Sequence, residues 1–177
     1  MRRTIKWRTT VCAALLCFAA LAGAQTAEWK SYSYAADGFQ ASFPSSPAQQ
    51  KKDVPTNAGS FELHSYAVQD SDAALFVGVC DYGSATKGKD PEALLQGAKN
   101  AALMSSGSHV LSEKKITLGA NPGLEFEAES NATHLTLRVY MVGATLYQTL
   151  VVMPLGKPYA HTAQFLDSFQ LIAKTAN

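Results

Sequence analysis

Apolar and polar residues alternate along much of the chain, and this period of two predicts a domain rich in β-strands. The clearest stretch is 124–129, where Leu, Phe and Ala alternate with three glutamates. Residues 135–142 alternate in the same way, and residues 145–153 run back after a Gly-Ala turn. We therefore expect three consecutive strands that each bury one face and expose the other.

Weaker patterns predict strands elsewhere. Residues 29–43 indicate two short strands around a turn at Ala36-Asp37-Gly38, because Asp and Gly favour turn positions. The stretch 51–60 is polar and contains a proline and a glycine, so it is predicted as a loop. Further strands are predicted at 61–68, 110–118 and 169–172.

One predicted strand, at 74–82, has no polar face. Alternate side chains such as Leu75 and Val77 point to one side, and Phe76 and Cys80 point to the other. A strand that is apolar on both sides is typically covered on both sides. We therefore expect it to lie centrally in the sheet, with a layer packed on each face.

Two helices complete the pattern. Asp90-Pro91-Glu92 is typical of a helix start, with Asp as the cap, Pro in the first position and Glu near the positive end of the dipole. Gly107 is the expected end of this helix. A second short helix is predicted over 158–167, with Phe165 and Leu166 on its buried side.

Two-residue loops at Asn131-Ala132 and Gly143-Ala144 predict how the last three long strands pair. A slip of one residue would bury the glutamates, so the hydrophobic pattern supports this register. The predicted pairs are Glu125 with Arg138, Glu127 with Thr136, Glu129 with His134, Leu124 with Val139, Phe126 with Leu137, Ala128 with Leu135, Tyr140 with Tyr147, Arg138 with Thr149 and Leu137 with Leu150.

The first 24 residues have the three parts of a secretory signal peptide: a basic start, an apolar run at 11–21 and Ala22-Gly23-Ala24 before the cleavage point. The apolar run is too short for a spanning helix, which needs about 20 apolar residues. We expect residues 1–24 to be removed, leaving 25–177 as a single exported domain, periplasmic or extracellular, with no transmembrane segment.

Charge and cysteine content narrow the function of the exported part. Without residues 1–24 the chain keeps 11 basic and 14 acidic residues, a net charge of −3, which disfavours nucleic acid as a partner. Cys80 is then the remaining cysteine, so no internal disulfide is expected, and its apolar surroundings predict a buried thiol. Nothing in the sequence has the spacing of a metal or cofactor motif, and we expect no cofactor.

Four motifs occur in an order that resembles the PsbP-like superfamily, also called Mog1/PsbP/DcrB-like. Each motif is short, and the order and spacing carry the resemblance, which spans most of residues 29–172. The motifs are Gly38-Phe39-Gln40-Ala41-Ser42-Phe43-Pro44 with Pro47, Gly119 to Glu125, Arg138 to Tyr147, and Phe165-Leu166-Asp167-Ser168-Phe169.

The resemblance implies an α+β fold in which an antiparallel sheet is flanked by helices, an α/β/α sandwich. It also implies a noncatalytic role, since PsbP is an extrinsic subunit that assists a photosystem, Mog1 binds a small GTPase and DcrB is a bacterial envelope protein. These roles differ from one another, so the resemblance assigns no functional residue in this chain.

The polar face of the predicted hairpin is the candidate site for a protein partner. Tyrosine and arginine are enriched at interaction hot spots, and the register brings several of them together. The alternative is that a helix or loop covers the tyrosines, which would make them part of the core. The candidate partner-binding residues are Glu125, Arg138, Tyr140, Tyr147 and Thr149.

We therefore expect an exported, noncatalytic binding or accessory protein of the bacterial envelope that docks onto a protein partner. A small-ligand or divalent-metal-binding protein is the first alternative, with Glu127, Glu129 and His134 as the residues that the register brings nearest to one another. A small hydrolase is the second alternative, although the four histidines are scattered and no G-x-S-x-G motif is present.

Overall fold

The computed structural model describes residues 28–56 and 59–175. The predicted signal peptide lies outside the described residues. Within them, ten strands, two α-helices and one short 3-10 helix follow the chain. The strands are β1 (Lys30–Tyr34), β2 (Phe39–Phe43), β3 (Ala48–Thr56), β4 (Gly59–Gln69), β5 (Ala74–Asp81), β6 (His109–Leu118), β7 (Asn121–Glu129), β8 (Thr133–Val142), β9 (Thr145–Pro154) and β10 (Gln170–Leu171), and the helices are α1 (Pro91–Ser106), α2 (Thr162–Asp167) and the 3-10 helix Gly83–Thr86.

The strands form two antiparallel sheets. The large sheet has seven strands in the order β3-β4-β5-β9-β8-β7-β6, and the small sheet has three in the order β1-β2-β10. Every strand pair that was predicted from the two-residue loops is confirmed, from Glu125 opposite Arg138 to Tyr140 opposite Tyr147. The period-two pattern and the short turns were therefore sufficient to set the register of β7, β8 and β9.

The predicted loop at 51–60 is wrong. Residues Ala48–Thr56 form β3, which pairs along its whole length with β4 at the outer edge of the large sheet. An edge strand has one free side, and its side chains here are mostly exposed, so polar residues cost little. The prediction failed because it took polarity and Pro55 as signs of a loop, and both are also typical of an edge strand.

Helix α1 covers one face of the large sheet, where it packs against β7 and β8. Asp90 caps its start by accepting a hydrogen bond from the backbone N–H of Glu92, and Gly107 ends it at φ 62°, as predicted. Leu95 of the helix joins the alternate apolar side chains of the strands in one core cluster. Each fully buried leucine or phenylalanine of this kind contributes roughly 1.5–3 kcal/mol.

The small sheet and α2 cover the opposite face of the large sheet. Phe39 and Phe43 of β2 and Phe165 of α2 are fully buried there against side chains of β5 and β9. Helix α2 has six residues and begins at Thr162, later than predicted. The antiparallel sheet and the layered packing agree with the predicted fold class, but much of this second outer layer is a sheet rather than a helix.

Strand β5 lies between β4 and β9 in the interior of the large sheet, as its apolar sequence predicted. Leu75 and Val77 are fully buried beneath the small sheet. On the opposite face Cys80 is buried, while Phe76 stays partly exposed. The face of β5 that meets the small sheet is therefore fully covered. Its other face is covered only in part, because α1 packs over β7 and β8 instead of β5.

Candidate functional site

Two of the five predicted site residues, Glu125 and Arg138, form the centre of a charged cluster. The Nε atom of Arg138 donates to Oε2 of Glu125 over 2.5 Å, and a terminal nitrogen of Arg138 donates to Oδ1 of Asp167 over 2.7 Å. The Nζ atom of Lys114 lies 2.7 Å from the other oxygen of Glu125. We call these four residues the charged cluster. It joins β6, β7, β8 and α2.

The four side chains of the charged cluster differ in their exposure to solvent. The side chains of Glu125 and Arg138 are 13% and 19% exposed, whereas those of Lys114 and Asp167 are 63% and 65% exposed. Burial raises the pKa of Glu125, but hydrogen bonds from Lys114 and Arg138 outweigh it and hold the pKa below its usual value. Lys114 and Asp167 are therefore accessible to solvent, and the Glu125–Arg138 pair that they contact is ionised and largely buried.

The other three predicted site residues lie in the core. Tyr140, Tyr147 and Thr149 are only 5%, 1% and 0% exposed, because the small sheet and the segment around Phe169 cover them. Phe169 stacks parallel to the ring of Tyr140. These residues therefore lie in the core beneath the charged cluster and do not form an open surface. This covered arrangement is the alternative that the sequence left open.

Tyr147 connects the large sheet to the small one. Its hydroxyl donates to the backbone carbonyl of Asp37, in the turn between β1 and β2, over 2.8 Å. Burial raises the pKa of Tyr147 to about 12, with a further contribution from the charges of Asp37 and Asp81. The hydroxyl oxygen of Thr149 is buried as well and has no hydrogen-bond partner among the described residues.

A second polar cluster, which the sequence analysis missed, lies where the turn between β1 and β2 meets β4. Asp37 accepts hydrogen bonds from the hydroxyl of Tyr66 and from Nδ1 of His64, the latter at 2.7 Å. Nε2 of His64 lies 2.6 Å from Oε1 of Glu62, which is also 3.2 Å from Nζ of Lys51. Both ring nitrogens of His64 therefore face carboxylates, and neither is directed at a serine or cysteine.

One signal for this second cluster was present in the sequence. Glu62, His64 and Tyr66 occupy alternate positions of the predicted strand at 61–68, so they share one face. Nothing in the sequence indicated that the turn at Asp37 would lie against that face. That contact depends on how the small sheet packs onto the large one, which local patterns do not encode.

Two small cavities lie within the described ranges. One of about 110 Å³ lies beside His64 and Tyr66 on β4. The other, about 180 Å³, lies between α1 and the β6–β7 hairpin and includes Leu95, Pro122 and Leu124 in its lining. Typical small-molecule sites are roughly 300–1,000 Å³, so both are below the usual size.

The structure tests the predicted metal alternative in part. His134 contacts Glu129, with Nδ1 3.1 Å from Oε1. In residues 28–56 and 59–175, no group of three or more histidine, cysteine, aspartate or glutamate side chains is arranged to hold a metal ion. The proximity of Glu127, Glu129 and His134 in the register therefore does not make a metal centre in this structure.

Comparison with known proteins adds information on the fold. No protein family matches the chain, and no curated protein matches its sequence. The structure is similar to the solution structure of cyanobacterial PsbP (CyanoP) from Synechocystis sp. PCC 6803, with a TM-score of 0.55 over 84% of this chain and 95% of that one. The chain has a PsbP-like fold. At 13% sequence identity the likeness concerns the fold and assigns no site.

The PsbP-like fold confirms the resemblance that was drawn from the four short motifs. One of them, Gly119 to Glu125, has a physical basis in the structure. Gly119 turns the chain with a φ of 60°, and Gly123 lies beneath the ring of Tyr140, where an added Cβ would come within 2.5 Å of that ring.

In the described part of the chain, no helix is long and apolar enough to cross a membrane.

Proposed function

We propose that this chain is an exported, noncatalytic accessory protein of the bacterial envelope that docks onto a protein partner through the charged cluster. The observation that carries the proposal is the arrangement of Lys114 and Asp167 above the fixed Glu125–Arg138 pair. The first 24 residues support export, since they have the form of a signal peptide that is cleaved before residue 25.

The geometry of the charged cluster suits recognition of a folded surface. Arg138 is held by two carboxylates and lies beside the buried Tyr140, so little side-chain freedom is lost when a partner binds. The exposed Lys114 and Asp167 have opposite charges and favour a partner with the complementary arrangement. Such charge pairs at the rim of an interface mainly determine specificity and association rate.

Two observations support a noncatalytic role. The ring nitrogens of His64 are both occupied by carboxylates, so His64 is not poised beside a nucleophile. Cys80 is buried, and burial raises the pKa of its thiol, which makes it a poor nucleophile.

A capture experiment from native envelope extract tests the proposal. The exported chain with a C-terminal tag is compared with a Lys114→Glu/Asp167→Lys variant, which reverses the two exposed charges and keeps the net charge. We expect one stoichiometric protein partner with the original chain and its loss with the variant.

The matched control is Lys52→Glu/Asp53→Lys, because these two exposed residues carry the same two charges on the edge strand β3, at the far edge of the large sheet. The control is expected to keep the partner. Equal capture by all three proteins, or equal loss in both variants, would overturn the proposed docking surface.

A small-ligand-binding role is the second candidate, and the cavity between α1 and the β6–β7 hairpin favours it. Its lining combines apolar Leu95, Pro122 and Leu124 with the ion pair between Glu92 and Lys115 at its mouth. A ligand with a small apolar body and one charged end would fit this chemistry.

Ligand-detected NMR with a small-molecule extract of the envelope distinguishes the second candidate from the first. Thr117 is exposed and lines the cavity, so Thr117→Phe is expected to fill it. Binding that is lost in Thr117→Phe and kept in the Lys114→Glu/Asp167→Lys variant would favour the ligand-binding role. No binding by the original chain would eliminate it.

A further inference from the structure

Helix α1 covers only part of the face of the large sheet on which it packs. Its main contacts are with β7 and β8, so β4 and β5 have no helix above them on this side in the described part of the chain. The strand register shows which side chains form this uncovered area, which we call the open face. It includes Leu63, Ser65 and Ala67 of β4, Phe76 and Gly78 of β5, and Gln148, Leu150 and Val152 of β9.

The open face is flat and uncharged. None of the described side chains that β4, β5 and β9 direct to this side of the sheet is an aspartate, glutamate, lysine or arginine. At its centre Phe76 and Gln148 lean over Gly78, where an added Cβ would lie 2.7 Å from Cε1 of the phenylalanine and 2.9 Å from Cγ of the glutamine. Glycine within a strand often marks a place where another segment approaches closely. The open face therefore has the composition of an interface.

The two flanks of α1 differ in charge. The charged residues of the helix are Glu92 and Lys99, and both form ion pairs with residues of β6 on one flank. Helical periodicity places Leu94 and Ala101 on the opposite flank, beside the open face. The open face and this flank of α1 therefore form the floor and one wall of an uncharged groove.

The outer face of α1 is exposed to solvent and is also uncharged. Ala93, Gly97, Ala101 and Met104 follow one another at helical spacing and are exposed, with Met104 at 85%. Asn100 is the polar residue among them. The solvent face of a helix ordinarily carries charged side chains, and a helix that is apolar nearly all round is typically buried. The outer face of α1 is therefore expected to have a partner surface.

A helix fits the groove in size. Neighbouring strands are about 4.8 Å apart and a helix is about 10 Å wide, so a helix beside α1 would cover β5 and its neighbours and leave the edge strand β3 free. A second copy of the chain supplies such a helix, and its uncharged outer face matches the uncharged groove. A two-fold axis parallel to α1 places the α1 helix of each copy in the groove of the other.

We propose that two copies of this chain form a symmetric dimer in which the outer face of each α1 occupies the groove of the other copy. The two helices then lie side by side in one layer between the two large sheets. Because α1 has 16 residues, it is roughly 24 Å long, and the two contacts together bury on the order of 1,000 Å², at the lower end of specific interfaces.

The dimer is independent of the proposed docking surface. Glu125 and Arg138 lie on the opposite face of the large sheet from α1, and Asp167 belongs to α2, which packs on that opposite face. The charged cluster therefore stays exposed in the dimer. Capture of a partner and self-association can succeed or fail separately.

The direction of α1 predicts which residues meet across the interface. The helix ends just before β6 begins, and the register places the start of β6 at the same end of the large sheet as the end of β4. A two-fold axis parallel to the helix keeps this end in common. Met104 of one copy is therefore expected near Ala67 of the other, where β4 is exposed.

Sedimentation equilibrium of the exported chain tests the dimer. We expect a monomer–dimer equilibrium for the original chain, and association at least about tenfold weaker for Met104→Glu and for Ala67→Lys, because each places a charge in an uncharged interface. An equal mixture of these two variants is expected to recover much of the association. One of its two contacts then joins opposite charges, and the other is unsubstituted.

Leu111→Glu is the matched control, because it also replaces an exposed large apolar side chain by a carboxylate, but on the edge strand β6. It is expected to dimerise like the original chain. Circular dichroism checks that each variant is folded, and the oligomeric state of the unsubstituted chain stands as a test even if a variant does not fold.

An original chain that stays monomeric up to roughly 100 µM would overturn the proposal and leave the groove to a helix of a different protein. Equal association of the original chain and both folded variants would overturn it as well. So would the absence of any recovery when the two folded variants are mixed.

Discussion

Arg138 illustrates how one residue links the core to the candidate surface. It pairs with Glu125 on the neighbouring strand and with Asp167 on α2, and Tyr140, two residues further along the same strand, is buried beneath. The pairing with Glu125 was predictable, because hairpin register follows from the loop length. The contact with Asp167 was not, because the position of α2 depends on long-range packing.

The Glu125 carboxylate gives a prediction for acid stability. Its pKa is lowered in the folded state, so its contribution is fully present above its ordinary value of 4.5 and is lost as the pH falls through the lower folded value. Glu125→Gln is expected to destabilise the protein by roughly 1–3 kcal/mol at pH 7, and this difference is expected to shrink below pH 4.5. Urea unfolding from pH 7 to pH 3 measures it.

Glu127→Gln is the matched control for this prediction, since Glu127 is on the same face of β7 and forms no ion pair within the described ranges. Its effect is expected to stay within about 0.5 kcal/mol at either pH, as for most surface substitutions. A pH-independent effect of Glu125→Gln would contradict the proposed ionised pair.

The Tyr147 hydroxyl gives a prediction for alkaline stability. Its pKa rises to about 12 on folding, from an unfolded value of 10.0, so the stability is present below pH 10 and is lost as the pH rises from 10 towards 12. Tyr147→Phe is expected to cost roughly 1 kcal/mol at pH 7, because the carbonyl of Asp37 loses its donor, and to reduce the loss above pH 10.

Chemical unfolding at pH 7 and pH 11 measures both parts of the Tyr147 prediction. Tyr32→Phe is the control, because Tyr32 is only partly buried and its hydroxyl has no hydrogen-bond partner in residues 28–56 and 59–175. If Tyr147→Phe were as stable as the control at pH 7, the hydrogen bond between the two sheets would carry no net stability.

At the scale of elements, two glycines have opposite roles. Gly123 of β7 pairs with Tyr140, and an added Cβ would come within 2.5 Å of its ring and 2.8 Å of the Val139 carbonyl. Gly97 of α1 has open space around it. Gly123→Ala is expected to destabilise the fold by roughly 1–3 kcal/mol through overpacking, and Gly97→Ala to stabilise it by about 0.5–1 kcal/mol through helix propensity.

Thermal unfolding of the two glycine variants checks this contrast in one experiment. Both substitutions add a single methyl group, so each is the control for the other. A neutral Gly123→Ala would mean that β7 and β8 can separate without loss of stability, contrary to their close pairing.

The sequence predicted most elements where a local rule decides the structure. Asp90 and Gly107 mark the ends of α1, and strict alternation marks β7 and β8. Prediction failed for β3, whose polar residues are tolerated because the strand lies at an edge. It also placed the start of α2 too early, because Pro158 and Tyr159 are outside the helix and Ala160 and His161 form the turn that precedes it.

At the scale of the whole molecule, the small sheet explains why the candidate site differs from its prediction. The sequence left open whether the polar face of the hairpin is exposed or covered, because alternation of polar and apolar residues is also found where a second layer packs on that face. The small sheet instead covers Tyr147 and Thr149, which leaves the rim formed by Lys114 and Asp167 exposed. Local periodicity distinguishes the two faces of a strand but does not reveal which distant segment covers each face.

The same layered packing produces the two polar clusters of the molecule. The charged cluster lies where β6, β7 and β8 meet α2, and the His64 cluster lies where β4 meets the turn of the small sheet. Both clusters join the large sheet to the elements that pack on it. The first of these junctions is the proposed docking surface, and the second fixes the turn between β1 and β2 against β4.

Site-specific photo-crosslinking in intact cells tests the docking surface most directly. A photoreactive residue at position 112, which is exposed and lies two residues before Lys114 on β6, is compared with the same residue at position 52 on β3. We expect one discrete crosslinked protein from position 112 and none from position 52. Crosslinks from position 52 alone, or no adduct from either position in the exported chain, would contradict docking through the charged cluster.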